Sequence, residues 1–186
     1  MSNARLFTLV GVASLVAGAL LWHLVRPVGR VPPAEPAPAI APAALYAATF
    51  DDPAGGRRSL GAFQGKVLVV NFWATWCEPC RAEMPAFDRL HRRWSSRGVQ
   101  FVGLSDEAPE VAARFGRQHD IAYPLWTGGE AVADLSGRLG NRLGGLPYTV
   151  VLTPQGAVYA QKVGPYTERE LESVLEKLAS NNAKPG

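Results

Sequence analysis

Sulfur and imidazole are scarce in this chain: two cysteines, two methionines and three histidines in 186 residues. So few cysteines exclude a scaffold held together by disulfides, which needs several bridges. A zinc centre needs more ligands than the chain brings together, because His23, His91 and His119 are scattered and none adjoins a cysteine. Acidic residues are absent before Glu35, and the formal charge of +3 arises there: without Arg5, Arg26 and Arg30, 16 basic residues face 16 acidic ones. A neutral body gives no ground for nucleic-acid binding. There is no internal repeat. The glycine-rich stretch from Gly140 to Pro147 is no phosphate loop, since it lacks the strand-glycine-helix setting and the Lys-Ser/Thr ending. No metal or organic cofactor is expected.

Both cysteines fall in one place. Val67 to Phe72 is an apolar, β-branched run without charge, which reads as a strand buried on both faces at the centre of a parallel sheet. Trp73-Ala74-Thr75-Trp76 follows, then Cys77-Glu78-Pro79-Cys80. Beyond Cys80, Met84, Phe87, Leu90 and Trp94 recur at helical spacing, with Arg89, Arg92, Arg93 and Arg97 left for solvent. The order is strand, turn, CxxC, helix. Free N–H groups and the dipole at a helix N-terminus favour a thiolate, so Cys77 is the expected attacking sulfur. Cys80, one turn in, is placed to resolve a mixed disulfide. Pro79 suits the first turn, whereas Pro85 lies inside the helix and is expected to kink it. As a structural staple the pair is poor, because closing so short a loop removes little entropy from the unfolded chain.

Residues 1–26 form one unit. Leu6 to Val25 gives about 20 largely apolar residues, enough to cross a bilayer core as a helix. Trp22 suits its interfacial end. A cleaved secretory signal competes, with Arg5 as its charged start and Ala17-Gly18-Ala19 as a cleavage site. Either reading exports the rest. Residues 27–44, with six prolines among alanines, read as a semi-rigid spacer reaching roughly 50 Å if polyproline-like, or less plausibly as a ligand for a proline-binding module.

The folded domain is expected over 45–181, with a flexible tail at 182–186. A hairpin from Tyr46–Phe50 and Arg57–Leu60 leads it, around the turn residues Asp51 to Gly56. Val99–Leu104 reads as a core strand and Pro109–Gln118 as a helix with Val111, Ala112 and Phe115 inward. Ala122–Trp126 reads as a short strand and Ala131–Leu139 as a short helix. Tyr148–Thr153 and Ala157–Val163 form a hairpin through Pro154-Gln155-Gly156. Thr167 and Glu170 make a capping box before the stripe Leu171, Val174, Leu175 and Leu178.

The run from Val69 to Pro85, the later Gly144-Gly145-Leu146-Pro147-Tyr148-Thr149-Val150-Val151, and their order resemble the thioredoxin superfamily. The likeness is stronger to the membrane-anchored thiol:disulfide oxidoreductases of the TlpA/ResA type, and it covers residues 45 to 180. It implies an α/β thioredoxin-like fold: a central mixed sheet flanked by helices, with an N-terminal hairpin and an insertion between the second and third core strands. It implies a cis Pro147 facing the sulfurs, where an ordinary trans loop proline is the alternative, with Leu146 offering its peptide edge to an extended client. Gly144 and Gly145 then give room for a tight approach to that turn. Where thioredoxins carry a buried aspartate this chain has Asn71, which takes up no proton. Glu83 matches a glutamate of the ResA relatives; it lies on the helix face of Cys80, to raise its pKa or relay its proton, unless it is a solvated helix glutamate. Glu78 and Pro79 tune the potential, and Trp76 shields the sulfurs, as does Trp73 unless it packs in the core.

The expected activity is reduction of protein disulfides by Cys77 and Cys80 in the periplasm or another extracytoplasmic space, tethered to a bacterial inner membrane. The implied partners are an exported disulfide-bearing client in cytochrome c or copper-centre maturation and a membrane thiol donor of electrons. Two alternatives stand beside it. One is a thiol peroxidase of the redoxin type, although Thr75-Trp76-Cys77 lacks the usual Pro-x-x-x-Thr-x-x-Cys spacing. The other is a Cu(I)-delivery module using the two sulfurs.

Overall fold

The structure, a computed structural model, describes residues 41–182. The apolar segment 6–25, all of the spacer before residue 41 and the tail beyond 182 lie outside it. Among the described residues no helix is long and apolar enough to cross a membrane.

Seven strands form one mixed sheet. In chain order they are β1 (Thr49–Asp51), β2 (Arg57–Ser59), β3 (Val67–Phe72), β4 (Val99–Ser105), β5 (Leu125–Thr127), β6 (Tyr148–Leu152) and β7 (Val158–Val163). Their order across the sheet is β2-β1-β5-β4-β3-β6-β7. The helices are α1 (Pro42–Ala47), α2 (Glu78–Trp94), α3 (Pro109–Gln118), α4 (Glu130–Arg138) and α5 (Glu168–Asn182). β3 pairs in parallel with β4 and antiparallel with β6, so the strand that carries the motif is central. Every residue of β3 is buried, as an uncharged β-branched run demands.

The alternation of β3 divides the core. Val67 and Val69 face a cluster with Met84, Phe87 and Leu90 of α2, Phe115 of α3, and Leu171, Leu175 and Leu178 of α5; the two sulfurs belong to it. Leu68, Val70 and Phe72 face the opposite cluster, with Leu45 and Tyr46 of α1 and Val132 and Leu135 of α4.

Two local expectations change. Tyr46 lies not in a strand but in α1, because Pro42 sits in its first turn and the neighbours Leu45 and Tyr46 are buried together, which a helix permits and an alternating strand forbids. The fold thus takes in Pro42 to Ala44, assigned above to the spacer. The short strand lies over Leu125–Thr127 rather than from Ala122, since Asp88 holds the Ala122 N–H at 2.7 Å in a loop. α2 runs 17 residues through Pro85, which lies on its exposed side. The inserted elements are α3, β5 and α4.

Candidate active site

Cys77 and Cys80 are joined in a disulfide at the C-terminal end of β3. Cys77 is the N-cap of α2: its backbone is extended (φ −83°, ψ 101°) and its sulfur accepts the Cys80 N–H at 3.3 Å. A sulfur in that place meets the free N–H groups of the first turn, the setting that favours a thiolate. Cys77 is 5 % exposed and Cys80 0 %, so an incoming partner reaches Cys77 first. Glu78 and Pro79, between them, are exposed, and Trp76 stands 70 % exposed beside them. Trp73 turns inward instead and packs its ring on Phe115 at 4.8 Å between centroids. Of the two tryptophans, one is core and one is surface.

The turn that carries Thr75 and Trp76 is tied down by a residue the sequence did not single out. Glu107, just past β4, accepts both the Thr75 N–H and the Thr75 hydroxyl at 2.6 Å. Its own N–H donates to Ser105 Oγ at 3.2 Å. The available signal was its place: an acidic residue at the C-terminal end of a strand parallel to the motif strand, where sites of open α/β sheets gather.

Glu83 lies one helical turn beyond Cys80 and is 3 % exposed, so it is no solvated surface residue. Its Oε1 accepts Asn71 Nδ2 at 2.9 Å and its Oε2 accepts the Tyr166 N–H at 2.8 Å. Asn71 also donates to Thr149 Oγ1 at 3.1 Å, from its cross-strand partner on β6. Burial pushes the Glu83 carboxyl up to about 7; the hydrogen bonds from Tyr166 and Asn71 and the charge of Lys162 only partly offset it. A carboxyl poised there can take or give a proton at neutral pH. Asn71 does not titrate, and its role is to hold Glu83.

The Leu146–Pro147 peptide is cis and Pro147 is buried. Two glycines before it serve different needs. Gly144 has a left-handed φ of +63° with open space around it, whereas a Cβ on Gly145 would meet Val163 Cγ1 at 2.8 Å. Only Gly145 answers to the tight approach expected of both. Asn141 clamps the loop, donating to the Gly145 carbonyl at 2.9 Å and accepting the Gly145 N–H at 3.0 Å. The Gly164 N–H donates to the Pro147 carbonyl at 2.8 Å, which fastens the loop to the end of β7.

The arrangement thus joins Cys77, Cys80 and Glu83 on one helix end and adds the loop of Pro147. Thr149, Tyr166 and Glu107, drawn from elsewhere in the chain, support it. Among the described residues no group of three or more His, Cys, Asp or Glu is placed to hold a metal ion.

Comparison with known proteins agrees with this geometry. The model of the AhpC/TSA family matches residues 37–161. The chain is 30 % identical over 126 residues to a thiol-disulfide oxidoreductase ResA of Bacillus cereus, covering 67 % of this chain and 70 % of that one. It is 31 % identical over 127 residues to the thioredoxin-like protein YneN of Bacillus subtilis, covering 66 % and 71 %. A crystal structure of a thiol:disulfide interchange protein of the thioredoxin family from Chlorobium tepidum superposes with a TM-score of 0.65 at 28 % identity, covering 79 % of this chain and 99 % of that one. The family match over residues 37–161 and the 30 % identity to the ResA relative place the chain: it belongs to the AhpC/TSA family and is a thiol-disulfide oxidoreductase of the ResA type.

Proposed function

We propose that this oxidoreductase works as a reductant of protein disulfides outside the cytoplasm. Cys77 thiolate attacks one sulfur of the client disulfide, forming a Cys77–client bond and expelling the other client sulfur, which takes up a proton. Cys80 then attacks Cys77, restoring the Cys77–Cys80 disulfide and freeing the second client thiol. Two electrons have passed to the client, and a dithiol donor must return them. Before its attack Cys80 has to lose a proton, and Glu83 is the group that receives it. Trp76, Glu78, Pro79 and Leu146 meet the client, and Pro147 leaves no N–H beside the sulfurs.

The observation that carries the reducing direction is the pair of carboxylates near the sulfurs, Glu83 one turn beyond Cys80 and Glu78 between the two. Negative charge there disfavours the thiolate and so favours the disulfide form, which makes the dithiol the better electron donor. Export and tethering are supported by the apolar segment 6–25 and the proline-rich spacer, and cytochrome c or copper-centre clients by the ResA resemblance. The test is the midpoint potential of the Cys77/Cys80 couple. A value toward thioredoxin's roughly −270 mV is expected, and one near the roughly −120 mV of strong oxidants overturns the direction. A Cys80→Ala variant, which leaves the mixed disulfide unresolved, traps the client for identification.

A further inference from the structure

A cleft opens on the α4 face of the sheet, directly beside the redox centre. Its lining includes Phe72 and Trp73, the residues that lead from β3 into the motif, with Leu104, Val132 and Leu146, which precedes the cis-proline. Its volume is about 110 Å³. That holds one side chain and falls below the roughly 300 Å³ at which small-molecule sites begin, so a cofactor is the wrong occupant. Among the described residues Asp106 is the single charged one on its lining. Asp106 is exposed, follows the end of β4, and among the described residues is engaged by no hydrogen bond or ion pair. Within the cleft the polar groups satisfy one another instead: Asn141 Nδ2 donates to Ser136 Oγ at 2.9 Å, and both residues are buried.

We propose that this cleft is a specificity subsite for a long cationic side chain, lysine or arginine, carried by the client close to its reacting cysteine. An apolar lining with one exposed carboxylate matches such a side chain part by part. The methylene stem lies along Phe72, Leu104 and Val132 while the charged head stays wet beside Asp106. The cleft is continuous with the client face, because a segment pairing with the peptide edge before Pro147 passes over Leu146 and sets a neighbouring side chain at the opening. The subsite deepens the reading above and rests on Cys77 as the attacking sulfur.

The test uses the full chain recycled by a small dithiol, with short peptides whose single cysteine is held in a mixed disulfide with a chromogenic thiol. Lysine, norleucine or glutamate is placed in turn at each of three positions on either side of that cysteine. A peptide-free disulfide serves as the reference for the sulfur chemistry alone. At one position or more, the lysine peptide is expected to exceed the norleucine peptide about fivefold in kcat/KM, the scale of a solvent-exposed charge pair, and to exceed the glutamate peptide by more. Asp106→Lys reverses the order of lysine and glutamate. Ala133→Trp, which covers the opening from the exposed side of α4, erases the preference. Both variants reduce the peptide-free disulfide at the wild-type rate. Equal turnover of lysine and norleucine peptides at every position overturns the proposal, as does a lysine preference that survives either substitution. A wild-type chain that fails on the peptide-free disulfide instead places the fault in the sulfur centre.

Discussion

Under α2, α3 and α5 the sheet buries Asn71, Glu83 and Thr149 among its apolar side chains, next to the sulfurs. Under α1 and α4 the strands present Leu68, Val70, Phe72, Val150 and Leu152 to an apolar cluster, and the buried polar pair Ser136–Asn141 flanks the cleft by the proline loop. One central strand feeds both faces, so the difference is not one of topology. It lies in where a charge is tolerated. The first face holds an ionisable group in dry surroundings at a cost to stability; the second recovers stability by close packing. Proton chemistry and cohesion are thereby separated by the thickness of a sheet.

Glu83→Gln breaks this comparison most sharply, because it moves two observables in opposite directions. The Glu83 carboxyl has its pKa raised from 4.5 to about 7 in the folded chain. Below pH 4.5 it is protonated in both states and costs nothing. Between 4.5 and 7 the unfolded chain releases the proton while the folded chain keeps it, so stability falls as pH rises, and above 7 the loss levels off at roughly 3 kcal/mol. Glu83→Gln removes that loss: denaturant melts of the oxidised protein at pH 8 are expected to show a gain approaching this figure, with no gain at pH 4. Disulfide exchange near neutral pH is expected to slow by about a hundredfold to ten-thousandfold, the usual worth of a general acid–base group. The alkylation profile of Cys77 shifts with it. Unchanged melts at both pH values, or an unchanged alkylation profile, would show that Glu83 is only packed.

On the opposite face the expected outcome is the reverse. Leu135, 3 % exposed on α4, packs in the apolar cluster that does not hold the sulfurs. Leu135→Ala is expected to lower stability by about 2–4 kcal/mol, the range for a buried leucine with partial collapse of the cavity. Turnover of a small disulfide per folded molecule stays at the wild-type value. A loss of turnover without a loss of stability would show that the faces are coupled through the sheet.

What could be read in advance follows the same division. The motif strand, α3 over Pro109–Gln118 and the Thr167–Glu170 capping box were legible because each is written in a few consecutive residues, and the cap is indeed closed both ways, at 2.8 and 3.3 Å. Glu83 could be placed on the face of Cys80 by its spacing, but one of its two partners, the Tyr166 N–H, lies 83 residues away. The Asn71–Thr149 bond spans 78 residues, and the Glu107–Thr75 clamp 32. No local pattern encodes such pairs; they follow from strand register. Tyr46 misled for a different reason, since a short apolar run fits helix and strand alike until its partners are known.

The smallest expected effect lies at the outer margin of the first face and tests where that face ends. Arg89 and Arg93 on α2 reach across to Glu168 and Glu172 on α5, with Arg89 to Glu168 at 2.7 Å and Arg93 to Glu168 at 3.2 Å. Both guanidinium groups are about half exposed, at 57 % and 45 %. Water and salt screen such pairs, and ordering two long side chains offsets much of their attraction. Arg89→Ala is therefore expected to cost no more than about 1 kcal/mol at low ionic strength and less in 1 M salt, with the pH dependence of stability between 4.5 and 7 unchanged. That last point is what separates the seam from Glu83. The helix pair α2–α5 is joined outside by exposed ion pairs and inside by the Tyr166 N–H bound to Glu83, and only the inner contact is shielded from solvent. If Arg89→Ala instead displaced the Glu83 titration in a salt-insensitive way, the ion-pair seam would have to be counted as part of the proton-handling site rather than as its surface.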